Sequence, residues 1–335
     1  MSIHSVDLSL GFHRDGEQPV HVLKEEREIF FRLFDDVQRR LNADNETATI
    51  HGALDELFLA LREKKTHSND REWQAFIDES RVHPISTVLH KDPFTYRAFS
   101  KPRGYAGDAV MMDFIYGREE QWPLPQAEPL GQAIFEYTTG APASEGVRAR
   151  RAFIAARIDR LAEKIHHPDI LSIASGHLRE VSLSAAVRRR RTGRFIALDA
   201  DAESAAEVAN SYGRFGVETV TSSFRRLLVD QHEIGKFDFV YSTGLFDYLT
   251  QRAGRRLVTS MFRALKPGGT LLVANFLPCI RDIGYMETFM DWQLVYRSRR
   301  DMVELTMDIP EEEVKQVTVF SEECRNIVFL QLTRV

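Results

Sequence analysis

A turn of mostly small residues, Ser172-Ile173-Ala174-Ser175-Gly176-His177-Leu178-Arg179-Glu180, begins inside the short apolar run DILSIA at 169–174. Such a turn lets a ligand approach the backbone closely, and a helix start beyond it offers free N–H groups to a carboxylate. Ser175, Gly176, His177 and Glu180 are the candidate binding residues here. An ordinary strand-to-helix turn fits this stretch equally well, because only Gly176 remains of a possible three glycines. The next apolar run, 194–199, ends at Asp199, about 20 residues past the turn. An ionised carboxylate only accepts, so at that position it takes both hydroxyl protons of a ribose. Asp199, with Ala200 beside it, is preferred over Asp201 because it ends the run directly; Asp201 suits a solvated helix start. A third run closes on Ser222-Ser223-Phe224, which offers a purine a polar edge and an apolar face. The fourth opens into Ser242-Thr243-Gly244-Leu245-Phe246-Asp247-Tyr248, rich in groups that face a ligand well.

These residues need a parallel sheet to bring them together. From Asp169 onward, five short apolar runs (169–174, 194–199, 217–221, 237–241 and 270–275) alternate with helical patterns. That alternation predicts βαβ units, whose ligands bind at the carboxyl ends of the strands. Two further strands, about 314–320 and 326–334, are joined by a turn too short for a crossover helix, so they must run antiparallel. The expected fold class is therefore α/β: a Rossmann-like parallel sheet ending in an antiparallel strand pair, with a helical N-terminal lid. The expected division is 1–143 for the helical extension and 144–335 for the sheet domain. In the extension, Phe30, Leu33, Phe34, Val37 and Leu41 make one helical stripe, and Ile50, Leu54, Leu57, Phe58 and Leu61 make another. Helices are also expected over 69–80, 108–117 and 144–165. Segment 92–107, rich in Pro, Gly and aromatic residues, reads as an ordered loop, and 121–130, with three prolines, as a connector. Leu265-Lys266-Pro267-Gly268-Gly269 should stop a helix and deliver the fifth strand.

Composition narrows the partners. A net charge of −5 gives no reason to expect a nucleic-acid backbone, and the basic clusters at 148–160 and 188–194 read as solvated helix faces. Two cysteines, Cys279 and Cys324, make neither a disulfide framework nor a zinc site, and no His, Asp or Glu spacing suggests a metal. The segment MSIHSVDLSLGFHRDGE has no apolar core of signal-peptide length, and no run is long enough to span a bilayer. The expectation is a cytoplasmic protein with a small-molecule substrate, and neither nucleic acid nor membrane as partner.

Taken in order, the turn at 172–180, Asp199, the segment after the fourth strand and the ALKPGG lead-in to the fifth resemble class I S-adenosylmethionine-dependent methyltransferases. The resemblance covers about 165–335 and implies S-adenosyl-L-methionine as cofactor. It departs at Ser172, where that family usually carries an acid, and at Ala174 and Leu178, where it usually carries glycines. KPRGYAGDAVMMDFIYG (101–117), YSTGLFDYL (241–249) and METFMDWQLVYR (286–297) look like a bacterial subgroup with a helical N-terminal extension, labelled with 3-hydroxypalmitate methyl ester synthase. The scaffold is also similar to enzymes that cyclise S-adenosylmethionine to azetidine-2-carboxylate. Tyr105, Tyr241, Asp247 and Tyr248 are then the candidate catalytic groups, with Asp108 if its loop folds over the site. Arg151 or Arg148 is the candidate for the cofactor carboxylate. Core packing is the competing reading for Tyr241, as is a solvated face for the arginines. Asp291-Trp292 and Arg297 offer a substrate wall or simple helix packing. Three activities follow from the resemblance: methyl transfer to a carboxylate, amine or hydroxyl acceptor in secondary or signalling metabolism; acceptor-free cyclisation with release of methylthioadenosine; or cofactor sensing without turnover.

Overall fold

The computed structural model describes residues 20–43, 46–117, 124–224 and 235–335. The reading of the N-terminal segment and of the start of the 121–130 connector falls outside them. Helices α1 (Val20–Ala43), α2 (Thr47–His67), α3 (Asp70–Val82), α4 (Ile85–Leu89), α5 (Pro93–Ser100), α6 (Ala109–Gly117), α7 (Pro129–Gly140) and α8 (Pro142–Lys164) come first. The expected stripe of α2 is buried at all five positions, and Phe34, Val37 and Leu41 of α1 are buried with it. One expectation fails: 92–107 is not a continuous loop. Asp92 accepts the backbone N–H groups of Phe94 and Thr95, Pro93 occupies the first turn, and α5 follows. Only 101–108 remains irregular.

The strands β1 (Ile170–Ile173), β2 (Phe195–Asp199), β3 (Val217–Thr221), β4 (Phe237–Ser242), β5 (Leu265–Phe276), β6 (Val314–Ser321) and β7 (Ile327–Arg334) form one sheet in the order β3-β2-β1-β4-β5-β7-β6. The first five are parallel, and β7 runs antiparallel to both β5 and β6, as expected. Pro267 does not precede the fifth strand but lies within it: β5 starts at Leu265, paired to Phe237, and its register shifts before Thr270. The crossovers carry α9 (Glu180–Leu183), α10 (Ala185–Arg188), α11 (Ala202–Tyr212) and α12 (Gln251–Arg263). α13 (Ile283–Phe289) and α14 (Arg299–Glu304) separate β5 from β6.

Side chains alternate across each strand, so β4 sends Phe239 and Tyr241 to one face and Val240 to the other. The Val240 face packs on Leu257, Met261 and Phe262 of α12. The Tyr241 face shares a single apolar core with α8 and with the N-terminal helices back to Phe34. α13 sits between sheet and extension: Phe289 meets Phe34 edge to face, and Tyr285 stacks on Phe58 at 4.3 Å. No helix among the described residues is long and apolar enough to cross a membrane.

Candidate functional site

The strand order reverses between β1 and β4, and a cavity of about 430 Å³ opens there at the carboxyl ends of the strands. Its floor is the turn after β1. Ala174, Gly176 and Leu178 all adopt left-handed backbone, with φ of 52°, 53° and 50°. These are the alternate positions where the resemblance expects glycines, so the turn keeps the backbone shape although two of its side chains are not glycine. Asp199 ties this turn to β2. One of its carboxylate oxygens accepts the Gly176 N–H at 2.7 Å and the other the Asp201 N–H at 2.9 Å. Burial pushes its pKa up, the Asp201 and Gly176 N–H groups pull it back, and the nearby Asp201 charge adds to the rise.

Most candidates from the sequence meet in this cavity. Ser175, Gly176, His177, Glu180, Asp199, Ala200, Ser222, Ser223, Phe224 and Thr243 line it, as do Tyr105, Asp247 and Tyr248. Three do not. Tyr241 is buried in the sheet face, and its hydroxyl donates to Glu180 at 2.7 Å, so it reaches the cavity only through that carboxylate. Ser242 is fully buried one residue further along β4. Arg151 lies behind the wall: its guanidinium donates to the Arg179 carbonyl and the Ser182 hydroxyl and lies over the Tyr116 ring. Arg148 donates to the Thr139 carbonyl instead. Of the arginines of α8, it is Arg150 that lines the cavity, buried and donating to the Thr243 carbonyl. A signal for it was present: Arg150 stands four residues before Ile154 and therefore on the same inward stripe of α8.

The roof comes from the extension. The segment after α5 crosses the cavity, and Arg103 fastens it by donating to Asp201 and Glu203, each at 2.9 Å. Gly107 must be glycine, since a Cβ there would sit 2.3 Å from the Tyr248 hydroxyl and 2.8 Å from the Trp292 ring. Trp292 Nε1 donates to that same hydroxyl at 2.9 Å, and the Tyr105 ring stands edge-on to Tyr248. Burial and the neighbouring Asp199 push the Tyr105 phenol up to about 12. Asp108 is no part of the wall; it is fully buried, takes the Arg97 guanidinium in a fork and caps the Met111 N–H. Asp113 of α6, missed in the sequence, does line the cavity and accepts from His177 at 2.7 Å and from Arg179 at 2.8 and 2.7 Å. Burial alone would raise its pKa, but these two partners hold it below the usual carboxylate range. His177 is thereby committed to fixing α6 on the turn.

Asp247 is a buried acid of the cavity wall. It is 2% exposed, its Oδ1 accepts the Phe276 N–H at 2.8 Å, and burial lifts its pKa to about 7 against the pull of that N–H, Arg150 and Arg297. Arg297, one of the two suggested wall elements, is instead a fully buried strut donating to the carbonyls of Phe246 and Leu249 and to Asn275. Trp292 is the other, and it does line the cavity. Its neighbour Asp291 pairs with Arg81 and Lys101 outside it.

The methyltransferase domain family matches residues 170–269, the stretch that supplies the floor and most of the strand ends. Over that stretch the chain is similar to methyltransferase domains. In fold, the chain is similar to a possible exported protein from Bordetella parapertussis, at 15% identity and a TM-score of 0.52, over 66% of this chain and 78% of that one. It also resembles the N-methyltransferase NodS from Bradyrhizobium japonicum, at 14% identity and TM-score 0.40, over 56% of this chain and 95% of the other. Magnesium protoporphyrin IX methyltransferase from Synechocystis, bound to S-adenosylhomocysteine, gives 9% identity and TM-score 0.45, over 68% and 96%. No curated protein matches the chain. The left-handed turn after β1, the carboxylate at the tip of β2 and the Ser222–Phe224 segment beyond β3 all line the cavity at the strand ends.

Proposed function

We propose that the protein transfers a methyl group from S-adenosylmethionine to a small-molecule acceptor that loses a proton, with Asp247 receiving it. When bound, the cofactor supplies a methyl group activated by a positive sulfonium, and the thioether that leaves is neutral. The chain's residues hold and shield the reactants. Asp199 takes the ribose hydroxyls, Ser222, Ser223 and Phe224 flank the adenine, and Arg150 serves the carboxylate end. The 101–107 roof with Tyr105 and Tyr248 excludes water, which favours a displacement that depends mainly on position. We read residues 1–143 as the lid-bearing extension and 144–335 as the cofactor domain.

The observation that carries this reading is Asp247, a carboxyl in the cavity wall with its pKa lifted to about 7. A carboxylate acceptor needs no base, whereas an amine or alcohol does, and a base works best with a pKa near the working pH. An amine or hydroxyl acceptor is therefore favoured over a carboxylate. The enclosing roof favours a small molecule over a macromolecule. The bacterial subgroup resemblance supports a role in secondary or signalling metabolism, and two free, exposed cysteines suit a reducing cytoplasm.

Incubation with S-adenosylmethionine, alone and with panels of small amines and alcohols, tests the reading by mass spectrometry. S-adenosylhomocysteine should form only when an acceptor is present. Asp247→Asn should lower turnover by about 10²-fold or more while cofactor binding stays the same. Methylthioadenosine formed without any acceptor would replace this reading with the cyclisation, in which the proton comes from the cofactor's own amine.

A further inference from the structure

Arg297 is 1% exposed, stands just before α14 and is not among the residues that line the large cavity. Its Nε donates to Gln251 Oε1 at 2.9 Å. Its terminal nitrogens donate to the Phe246 carbonyl and Asn275 Oδ1, each at 2.6 Å, and to the Leu249 carbonyl at 2.5 Å. Phe246 and Leu249 bracket Asp247 and Tyr248, so one guanidinium pins both ends of the turn that carries the acid. Asn275 extends the hold. Its Nδ2 donates to the Phe276 and Val295 carbonyls, while the Phe276 and Val295 N–H groups donate to the Asp247 side chain and carbonyl. A planar fork of fixed donors suits this task, since it meets several carbonyls at set angles.

These acceptors are all neutral, which is unusual for a cation taken out of water. The balancing charge comes from further off. Two carboxylates act on Arg297, those of Asp247 and Asp301, and Asp301 is engaged with the Ser298 N–H and hydroxyl at the start of α14. Asp247 is buried like the arginine, so the field between the two is weakly screened. Seen from Asp247, the facing cations are Arg150 of α8 and Arg297. The neighbouring phenols of Tyr248 and Tyr296 stay protonated, because burial pushes both up. Arg150 lines the cavity, where a ligand changes its surroundings. Arg297 sits behind the wall, so its charge acts on Asp247 whether the cavity is empty or filled.

We propose that Arg297 is the positioning residue of Asp247: its bonds fix the turn that carries the acid, and its charge favours the carboxylate over the neutral carboxyl. Use of that carboxylate as the proton acceptor rests on the methyl-transfer reading. The hold itself does not, so the test uses the full-length protein without cofactor or acceptor, and its failure is distinct from a failure of that reading. Carbon-13 NMR follows the Asp247 carboxyl through a pH titration, assigned by its loss in Asp247→Asn, and hydrogen exchange follows the Phe276 amide. Arg297→Gln removes charge and fork together, whereas Arg297→Lys keeps the charge with fewer donors. The Asp247 midpoint should rise by about one pH unit or more in Arg297→Gln and stay within about half a unit of the parent in Arg297→Lys. The Phe276 amide should exchange about tenfold faster or more in both. If Arg297→Gln does not fold, Arg297→Lys decides alone, by an unmoved midpoint with a faster amide. An unmoved midpoint in folded Arg297→Gln, a moved one in Arg297→Lys, or a Phe276 amide exchanging at the parent rate in either variant overturns the proposal.

Discussion

Ala174 and Leu178 hold backbone conformations that glycine adopts without penalty, and each does so with a side chain attached. Left-handed backbone costs a non-glycine residue about 1–2 kcal/mol, partly offset by its smaller loss of freedom on folding. Leu178 offsets its strain by full burial in the core, but Ala174 has little to pack. Ala174→Gly should therefore stabilise the protein by about 0.5–1 kcal/mol in a denaturant titration; destabilisation would contradict the strain. Leu178→Gly should do the opposite, losing about 2 kcal/mol or more with the buried side chain. Polar groups around this turn have also moved. Ser172 stands where the resemblance expects an acid, and its register partner Tyr241 donates instead to Glu180 on the cavity wall. Asp247 gives a pH prediction. Its folded pKa of about 7 lies above the ordinary 3.8, so the folded state keeps this proton where the unfolded chain has lost it. Its contribution to stability thus falls as pH rises from about 4 to about 7 and is level above that. A base must be ionised, so turnover should rise with pH to a midpoint near 7, and Asp247→Asn should erase that limb. A limb that survives the substitution would assign the base elsewhere.

At the scale of elements, the sequence read strands better than it read the roof. Five apolar runs after Asp169 carry a period that parallel burial enforces, and β1 to β5 lie where those runs are. Asp199 was legible because a strand end positions its last side chain. Segment 92–107 was misread because proline and aromatic residues were weighed as loop formers, whereas Asp92-Pro93 is a helix start with its cap and first turn in place. Arg150 and Arg151 differ by 100° around α8, a distinction that a single phase error hides. Asp113 carried no signal in the sequence, since its partners His177 and Arg179 lie 64 and 66 residues away. The roof itself turns on Gly107. Gly107→Ala drives a methyl group into the Tyr248 hydroxyl and the Trp292 ring, so both must shift. The variant should fold, expose 101–107 to protease, and weaken cofactor binding about tenfold or more. Protection and affinity equal to the parent would show that this segment does not close the site.

Across the whole molecule, extension and sheet share one core through α13. Gly284 shows how close the contact is, since a Cβ there would lie 2.5 Å from the Leu61 backbone of α2. Gly284→Ala should cost about 2–3 kcal/mol by overpacking, and calorimetry should show one unfolding transition that moves as a unit. Two transitions, with only one shifted, would mean that the extension and the sheet unfold independently.

In the proposed site Asp199 holds the adenosyl group above the turn after β1. Titration calorimetry with S-adenosylhomocysteine, on the parent and on Asp199→Ala, addresses that directly. Loss of a charge-assisted contact predicts a dissociation constant weaker by about 1–3 kcal/mol, roughly 5- to 150-fold. Equal affinity in the two proteins, or no heat from the parent, would contradict it.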